Sequence, residues 1–343
     1  MKVGNQNKCF IIAEAGVNHN GDVRLAKELI VAAKEAGADA VKFQTWITEL
    51  IVTEDSAAAS YQEANTGVKS QYELLKSLEL KHEDFVDLKA YAEEVGILFL
   101  STPDEEVSAD FLVDLGIDLI KVGSGELTNL PFIHFLAGKN LPMILSTGMA
   151  TLAEVKSAVD TVKKAGVKEL TLLHCVSNYP ADPTECNLRA MATMRESFGC
   201  GIGYSDHTMG IEMCIAAVAL GAEVIEKHLT LSNKMEGPDH LCSSEPAEFA
   251  QMVKSIRNVE SGMGDGVKRP TASELETKKV VNKEIVAKRG LTQGEVIKIE
   301  DLSLKRGNGS GLSADHLGQV IGKVLKKSVA EDEVILIADV EVE

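Results

Sequence analysis

The sequence predicts a (β/α)8 TIM barrel followed by a small β-rich domain, on the strength of three observations. Short apolar runs that end in polar residues recur along most of the chain. Amphipathic stretches separate these runs. The composition then changes near residue 262, and a segment of roughly 60 residues follows that is rich in glycine and has no long amphipathic helix. The first two features indicate a parallel α/β fold, and the third indicates a second domain.

The predicted strands come at regular intervals. They cover residues 10–17, 40–46, 98–103, 119–126, 143–148, 170–176, 201–207 and 224–230. Strands that alternate with helices form parallel sheets with right-handed crossovers. Eight such units over roughly 250 residues are the size and count of a (β/α)8 barrel. An open, doubly wound sheet is the alternative, but it rarely needs eight consecutive units.

Apolar residues recur at intervals of three and four between the strands. This spacing predicts helices over residues 23–36, 82–94, 151–164 and 211–220. A glycine follows or ends several of these patterns, and glycine commonly ends helices because it adopts a left-handed backbone conformation without strain. The glycines are Gly37, Gly96, Gly166 and Gly221.

Glycine, proline and charged residues then mark a domain boundary. We predict a barrel domain over residues 1–265, a linker over residues 266–283 and a C-terminal domain over residues 284–343. The last domain carries short β-like runs at residues 285–287 and 334–337. A domain of this size is close to the lower limit for independent stability and would gain from packing against a partner.

Composition narrows the functional classes. The formal net charge of −17 argues against nucleic-acid binding, which needs a basic face. No secretory signal opens the chain and no apolar run is long enough to cross a bilayer, so we expect a cytoplasmic protein without membrane contact. The six cysteines form no CxxC pair, and we expect them to be free thiols and not a disulfide framework. An anionic substrate would have to meet locally concentrated lysine, arginine or metal.

The ends of the predicted strands carry the chemistry. In a parallel barrel, reactive side chains come from the C-terminal ends of the strands. These ends supply a ring of ionisable and hydroxyl groups. Its members are Glu14, Asn18, His19, Lys42, Gln44, Ser101, Thr102, Lys121, Ser124, Glu126, Ser146, Thr147, His174, Ser177, Tyr179, Ser205, Asp206, His207, Glu226, Lys227 and His228. A strand-terminal serine can equally be a helix cap, so the joint occurrence on successive strands is the informative part.

Two histidines indicate a metal site. His207 and His228 end adjacent predicted strands, beside the carboxylates of Asp206 and Glu226. Two neutral imidazoles can hold a divalent ion such as Mn²⁺ and leave positions open for water and substrate. The alternative is that each histidine is a structural residue with satisfied hydrogen bonds.

Two lysines indicate an anion site. Lys42 and Lys121 each follow an apolar strand core, where an ammonium is costly unless it meets an anion or a carboxylate. They predict binding of a phosphate or carboxylate, assisted by Ser124, Ser146 and backbone N–H groups. The alternative is a buried Lys–Glu pair. Farther along, the basic pair at residues 305–306 reads by composition alone as a solvated turn.

Taken together, these segments resemble the N-acetylneuraminate (sialic acid) synthase family, which includes the legionaminic and pseudaminic acid synthases. The similarity runs in order from near Phe10 to the C-terminus. The matching segments are IIAEAGVNHNG (11–21), VKFQT (41–45), STP (101–103), KVGSGE (121–126), STGMA (146–150), HCVSNYP (174–180), GYSDH (203–207), EKH (226–228), GPDH (237–240) and KR (305–306).

The resemblance implies a fold and a set of site residues. It implies a (β/α)8 barrel followed by an antifreeze-like (SAF) domain, with His207 and His228 as metal ligands for Mn²⁺ (Mg²⁺ or Co²⁺ as alternatives). The positions that match phosphoenolpyruvate contacts are Lys42, Thr102, Lys121, Ser124, Ser146, Ser177 and Ser205. Those that match positions around the sugar and the reacting centre are Glu14, Gln44, Glu126, Tyr179 and Asp239.

The resemblance also implies a domain-swapped homodimer. Arg306 matches an arginine that reaches from the small domain of one subunit toward the sugar in the barrel of the other. The family often has Lys-Arg-Pro-Gly at this loop, whereas this chain has Lys305-Arg306-Gly307-Asn308. We therefore expect a loop that is less constrained before binding.

The implied reaction is a metal-dependent condensation of phosphoenolpyruvate with N-acetylmannosamine. The metal would act as a Lewis acid on the open-chain aldehyde, and Lys42 and Lys121 would hold the anion. Glu126 or a water on the metal would be the general acid or base. Phosphate would leave by C–O cleavage and give N-acetylneuraminate.

Several alternatives stay open at this point. The sugar could be 2,4-diacetamido-2,4,6-trideoxymannose, the legionaminic acid precursor, an altrose-configured analogue or a 6-phosphorylated sugar. A 3-deoxy-keto-acid synthase would use the same barrel without the small domain. A class I aldolase would form a Schiff base on Lys42 or Lys121. A non-catalytic protein would bind a surface through its antifreeze-like domain.

Overall fold

The computed structural model describes residues 8–341, which form two compact units divided after Gly264. The first unit contains the sheet that positions the candidate site. Its strands are β1 (Phe10–Gly16), β2 (Ala40–Thr45), β3 (Leu98–Pro103), β4 (Ile120–Val122), β5 (Met143–Ser146), β6 (Leu170–His174), β7 (Gly201–Asp206) and β8 (Val224–His228).

These strands form one parallel sheet that nearly closes into a barrel. Their order is β3-β2-β1-β8-β7-β6-β5-β4, and β3 and β4, the two ends of this order, are in contact. The predicted (β/α)8 barrel is therefore confirmed, and the open, doubly wound sheet is wrong. Because all eight strands run the same way, their carboxyl ends meet at one rim.

Helices surround the barrel, and one of them, α3 (Ser60–Thr66), lies at the rim, where the Tyr61 ring stacks on that of Tyr179. They are α1 (Val23–Glu35), α2 (Thr48–Ile51), α3 (Ser60–Thr66), α4 (Gln71–Leu78), α5 (His82–Val95), α6 (Glu106–Leu115), α7 (Leu130–Ala137), α8 (Leu152–Lys164), α9 (Ala190–Phe198), α10 (Glu212–Ala219) and α11 (Pro246–Met263). Polar side chains start several of them. Asp22 accepts a hydrogen bond from the Arg24 N–H at the start of α1, and Thr151 and Glu154 form a capping box on α8.

The sequence places most element ends within one to three residues of those observed. The four glycines predicted to follow or end helices all have positive φ, between 79° and 92°. The largest difference is at β4, which ends at Val122 because the following residues turn away in a 3-10 helix, Ser124–Glu126. That turn brings Ser124 and Glu126 out of the sheet and onto the rim.

Apolar side chains fill the barrel below the rim and the space between barrel and helices. The interior layer consists of Phe10, Ile12, Ala40, Leu100, Leu119, Ile144, Leu173 and Val224. A larger cluster packs the outer faces of the strands against the helices. The polar groups above this layer therefore pack against close-packed apolar side chains, which restrict their movement.

The second unit contains a short helix followed by a small β-rich fold. Its elements are α12 (Ala272–Val281), β9 (Lys283–Ala287), β10 (Leu302–Arg306) and α13 (Leu317–Val320). Strands β9 and β10 are antiparallel, and buried residues such as Ile285, Leu325 and Ile335 form a separate core. Helix α12 lies in the segment predicted to be a linker.

Two features of the second unit differ from the sequence prediction. The β-like run predicted at residues 334–337 pairs with β9 only at its start. Val334 forms a bridge to Val286, the Ile335 N–H donates to the Ile285 carbonyl at 2.9 Å, and a 3-10 turn follows at Ile337–Asp339. Strand β10 was not predicted, because its alternating pattern ends in the charged pair Lys305 and Arg306. Across residues 8–341, none of the helices combines the length and the apolarity that a bilayer crossing requires.

Candidate active site

Strand alternation determines which side chains enter the site. Successive residues of a strand point to opposite faces, so positions two apart share a face. At the end of β8, Glu226 and His228 contact residues of the rim, whereas Lys227 between them bonds Asp206 instead. Asp206 therefore does not stand beside the histidines as the sequence suggested. It pairs with Lys227 between the barrel and helix α10, where Cys214 also donates to it.

The first group of rim side chains is centred on Lys42. The Lys42 ammonium donates to Thr102 Oγ1 at 2.9 Å and lies 2.5 Å from Glu14 Oε2. Gln44 donates from Nε2 to the other Glu14 oxygen at 2.9 Å. These residues come from β1, β2 and β3, so the sheet register aligns them. The structure thus joins four residues that the sequence placed in two different roles.

The second group is centred on Lys121 and Glu226. Lys121 donates to Ser146 Oγ at 2.8 Å and lies 3.4 Å from Glu226 Oε1. Ser205 donates to the same Glu226 oxygen at 2.9 Å. The second Glu226 oxygen lies 3.8 Å from the Lys42 ammonium, so this carboxylate connects the two lysines. The buried Lys–Glu pair that the sequence left as an alternative is therefore present, with two lysines and two carboxylates.

Burial and charge act against each other in this network. Burial would lower the pKa of Lys42, but the Glu14 and Glu226 carboxylates outweigh it and raise that pKa. For Lys121, burial outweighs the attraction of Glu226, and the pKa is lowered. Burial raises the pKa of Glu14 despite its contact with Lys42. The two lysines together overcome the burial of Glu226 and lower its pKa. The charges of the two lysines and the two carboxylates thus nearly cancel. A bound anion would change the pKa values of all four groups.

Ser124 and Ser177 converge on Gly148. A Cβ atom placed at Gly148 would lie 2.2 Å from Ser177 Oγ and 2.6 Å from Ser124 Oγ, so only glycine leaves room there. The buried Ser177 hydroxyl has no hydrogen-bond partner in the described part of the chain. The Gly148 N–H donates to Cys175 Sγ at 3.2 Å. Two hydroxyl groups next to a backbone without a side chain form a pocket suited to the oxygens of a small anion.

The two histidines face each other next to these groups. The ring centroids of His207 and His228 are 5.4 Å apart, with the rings nearly perpendicular. His207 donates from Nδ1 to the Val176 carbonyl at 2.5 Å, and since a carbonyl can only accept, Nε2 keeps its lone pair. Burial lowers the pKa of both imidazoles. At His228, a positive charge on the neighbouring His207 would lower the pKa further. The lowered pKa values favour neutral rings, the form in which imidazole binds a metal.

These observations fit a divalent cation held by two protein nitrogens. His207 is oriented by a backbone carbonyl, which is the usual partner of a metal-binding histidine. His228 Nδ1 is buried without a hydrogen-bond partner among residues 8–341. Within the same residues, no three His, Cys, Asp or Glu side chains come together in a metal-holding group. The protein would thus supply an incomplete ligand set.

Tyr179 and Asp239 border the imidazoles. The Tyr179 ring lies 4.1 Å from that of His207 and 5.6 Å from that of His228, measured between centroids. Asp239 Oδ2 lies 3.6 Å from His228 Nδ1. Burial, and then the charge of Glu14, raise the pKa of Asp239 to about 7. Tyr179 and Asp239, which were predicted to contact the sugar, thus lie beside the predicted metal ligands. Gln44, the third residue of that set, is hydrogen-bonded to Glu14.

Two predicted site residues are not joined to these groups. Glu126 is half-buried on its 3-10 turn and accepts a hydrogen bond from Asn129 Nδ2 at 2.7 Å. Arg306 belongs to the second unit, where it is exposed at the end of β10 and pairs in register with Lys283. The roles given to both residues stay predictions.

The sequence assigns no binding or catalytic role to three residues that the structure brings into the site. Glu226 is expected among the strand-end groups beside the histidines, and the structure makes it the link between the lysines, on the strand face that it shares with His228. Cys175 contacts Ser124 Oγ at 3.3 Å, and its position directly after β6 was the only signal. Asp104 follows β3, and burial and then the charge of Glu126 raise its pKa to about 7. Its field reaches Lys42 and Glu14, which no sequence pattern reveals.

Comparison with known proteins gives a consistent result. A model of the NeuB family matches residues 29–268, and a model of the SAF domain matches residues 284–341. The N,N'-diacetyllegionaminic acid synthase of Legionella pneumophila is 46% identical over 338 residues, which are 97% of this chain and 95% of that protein. Human N-acetylneuraminate-9-phosphate synthase is 37% identical over 335 residues, covering 97% of this chain and 93% of that protein. The crystal structure of N-acetylneuraminic acid synthetase from Leptospira borgpetersenii in complex with citrate has a TM-score of 0.73 and 36% identity, and covers 82% of this chain and 95% of that one.

Proposed function

The chain belongs to the NeuB family, and we propose that it condenses phosphoenolpyruvate with an N-acetylated amino sugar to give a nine-carbon 2-keto acid and phosphate. One observation carries the proposal. Two buried lysines and two converging serine hydroxyls share one rim with two neutral imidazoles. An anion site next to a candidate Lewis-acid site is what this condensation needs.

The lysine groups would bind the anion. Lys42 with Thr102 and Lys121 with Ser146 present charged and hydroxyl donors from adjacent strands. Ser205, Ser124 and Ser177 add hydroxyls around them. Phosphoenolpyruvate carries a carboxylate and a phosphate, so two cationic groups at different strands could hold both ends and fix the enol carbon. The Glu14 and Glu226 carboxylates keep the lysines oriented before the anion arrives.

The imidazoles would hold the divalent cation, with Mn²⁺ as the first choice and Mg²⁺ or Co²⁺ as alternatives. When bound, the ion would supply Lewis-acid polarisation of the sugar aldehyde. Gln44, Tyr179 and Asp239 border the space in which the open-chain sugar would lie. In the reaction the enol carbon forms a bond to the aldehyde carbon, and water adds to the carbon that carries the phosphate. The C–O bond to phosphate then breaks, and phosphate leaves.

Proton transfer would fall to the carboxyl groups of the rim. Glu14 is buried next to Lys42, and burial raises its pKa, which favours a carboxyl group that can both hold and release a proton. Glu126, which the sequence offered as the weaker candidate beside a water on the metal, is half-buried and bonded to Asn129. We therefore give Glu14 the role of general acid or base and keep Glu126 as the second candidate.

The sugar is the finer part of the proposal. The sequence alone favoured N-acetylmannosamine, and the product would then be N-acetylneuraminate. The Legionella relative is named an N,N'-diacetyllegionaminic acid synthase and matches nearly the whole chain. We therefore propose 2,4-diacetamido-2,4,6-trideoxymannose as the preferred substrate and N-acetylmannosamine as the second. A cytoplasmic homodimer, in which Arg306 reaches the partner subunit's barrel, remains a prediction from the resemblance.

The test combines a sugar panel with histidine variants. Purified protein would be given Mn²⁺, phosphoenolpyruvate and each candidate sugar, and phosphate release and product mass would be followed. We expect phosphate release together with a nine-carbon keto-acid mass. His207→Ala and His228→Ala should each lower kcat at least 100-fold, by loss of a metal ligand (~3 kcal/mol). The exposed His134→Ala, on α7, is the matched control and should behave as wild type.

Two outcomes would contradict the proposal. Full activity of metal-free His207→Ala would remove the role given to the imidazoles. No phosphate release with any sugar, from folded and metal-loaded protein, would mean that the family fold carries another activity. Borohydride trapping of a carbonyl substrate on Lys42 or Lys121 would then indicate the class I aldolase, and thermal hysteresis would indicate a surface-binding protein.

A further inference from the structure

We propose that Asn18, which lies outside the site residues assigned above, is a positioning residue that holds His228 and Asp239 at a fixed separation. The inference rests on the proposed function, because that function uses both groups. Asn18 lies in the turn between β1 and α1, and it is 1% exposed.

A single amide nitrogen reaches two segments of the chain. Asn18 Nδ2 donates to the Leu229 carbonyl at 2.9 Å and to Ser243 Oγ at 2.8 Å. Leu229 directly follows His228, at the end of β8. Ser243 lies beyond the loop that carries Asp239. Both donors of the Asn18 amide are therefore used, one on the residue after His228 and one on the segment after Asp239.

The second contact continues to Asp239. Ser243 Oγ donates in turn to the Asp239 carbonyl at 2.6 Å, so a chain of two hydrogen bonds links Asn18 to this residue. Asp239 Oδ2 lies 3.6 Å from His228 Nδ1. The first contact thus fixes the backbone next to His228 and the second fixes the backbone of Asp239. Backbone bonds also join the two segments, from the Ser244 N–H to the His228 carbonyl at 2.8 Å and from the Thr230 N–H to the Ser244 carbonyl at 3.0 Å. Loss of the amide would therefore loosen both ends of that 3.6 Å separation without releasing them.

Stability alone does not account for an asparagine at this position. Asn18 Oδ1 is buried and has no hydrogen-bond partner in residues 8–341. A buried carbonyl oxygen without a partner costs free energy, which an apolar side chain would avoid. What asparagine supplies and an apolar side chain cannot are two donors in one fixed plane. Its donors, and the segments they hold, are therefore the reason for its presence.

The same turn contains a matched control. Asn20 donates from Nδ2 to the Glu236 carbonyl at 2.9 Å, so it holds the same β8–α11 loop at another point. Among the described residues it has no hydrogen bond to Leu229, Ser243 or Asp239, and its Oδ1 lies 3.1 Å from His240 Nε2. Removal of its amide tests whether any loss of loop anchoring has the same effect. Outer-shell partners of metal ligands typically change metal affinity by about 10–100-fold.

The experiment measures Mn²⁺ binding to metal-depleted protein by electron paramagnetic resonance, with thermal unfolding alongside. We expect Asn18→Ala to bind Mn²⁺ about tenfold or more weakly, with a cooperative unfolding transition retained. Ser243→Ala should act in the same direction, and the double variant should lose no more than Asn18→Ala, because both belong to one chain of bonds. Asn20→Gly, which removes the amide and suits the positive φ of 51° at this position, should stay within about threefold of wild type. Asn18→Leu fills the space and serves if Asn18→Ala does not fold.

Kinetics add a second readout. Because the lysines hold phosphoenolpyruvate, Asn18→Ala should lower kcat and leave KM for phosphoenolpyruvate unchanged. Three outcomes would overturn the inference. They are wild-type Mn²⁺ affinity in a folded Asn18 variant, equal losses in Asn20→Gly, and a wild type that binds no Mn²⁺. A wild type that binds Mn²⁺ and shows the expected losses but turns over no sugar would overturn the proposed function and leave the role of Asn18 standing.

Discussion

Gly148 is the residue at which the rim has the least free space. The hydroxyls of Ser124 and Ser177 fill the volume in which a side chain would start. If these hydroxyls bind the anion, a methyl group at this position must displace at least one of them. The size of one side chain therefore controls access to the proposed phosphate pocket.

Gly148→Ala should raise KM for phosphoenolpyruvate and leave KM for the sugar unchanged. Overpacking of this kind costs about 1–3 kcal/mol, which corresponds to roughly 5–150-fold in affinity. Gly125→Ala is the control, since nothing lies within 4 Å of a Cβ atom at that position of the same rim. Steady-state kinetics with either substrate varied would separate the two effects. An unchanged KM for phosphoenolpyruvate in folded Gly148→Ala would place the anion elsewhere.

Glu226 shows how the function of a residue depends on its neighbours. As a lone carboxylate near two lysines it would only be a salt-bridge partner. Here its two oxygens approach different lysines, at 3.4 Å and 3.8 Å, and one oxygen also accepts from Ser205. It therefore ties β2, β4 and β7 together around the space proposed for the anion.

At the scale of elements, strands β7 and β8 place candidate site residues on one face and a structural ion pair on the other. Their inward residues include Ser205 and Glu226, which bond each other. Asp206 and Lys227 are fully buried on the opposite face and pair at 2.7 Å. Lys227 also donates to the Thr208 carbonyl at 2.8 Å, next to His207. This outer pair fixes the turn from which His207 enters the site.

Lys227→Met should destabilise the barrel strongly. It leaves the buried Asp206 carboxylate unpaired, which typically costs about 3–5 kcal/mol. Replacement of both residues, in Asp206→Asn with Lys227→Met, should recover much of this loss. The exposed pair Lys156 and Asp160 on α8 is the control, and Lys156→Met should cost less than about 0.5 kcal/mol. Denaturant unfolding would measure the free energies, and equal effects of the two lysine variants would contradict the assignment.

At the scale of the whole molecule, burial of histidines links stability to pH. The pKa values of five histidines, His19, His174, His207, His228 and His240, are lowered by burial, to about 4 for His19 and His240. Below about pH 6.5 these histidines bind protons more readily in the unfolded chain than in the folded protein. Their contribution to stability therefore falls as the pH is lowered. Asp104 and Asp239, with pKa values raised to about 7, act in the opposite direction and stabilise the fold as pH falls.

The histidine contribution can be isolated at His19, which is buried and accepts from the Gly21 N–H. The free energy of unfolding of metal-free protein should fall as pH is lowered from 6.5 toward 4. In His19→Gln, which cannot titrate, this fall should be shallower by up to about 1.4 kcal/mol per pH unit. Denaturant unfolding of the barrel at several pH values would provide both slopes. Identical slopes would mean that His19 binds a proton in the folded state as readily as in the unfolded state.

The sequence by itself determined the barrel, the order of its strands and the rim on which the polar groups lie. Those features follow from hydrophobic periodicity and from the rule that parallel strands end on one side, and both are local properties of the chain. The resemblance to a known family was equally readable, because its motifs occur at successive strand ends. The burial of Lys42 and Lys121 at the strand ends likewise followed from their place after apolar runs.

Only the tertiary structure decided which of these groups meet. It paired Asp206 with Lys227 and away from the histidines, and it made Glu226 the link between the lysines. It also showed that Asn18 holds segments more than 200 residues away, with sequence separations of 211 and 225. The physical reason is that hydrogen bonds and pKa shifts depend on distances of a few ångströms between remote segments. Composition and periodicity report only on neighbours along the chain.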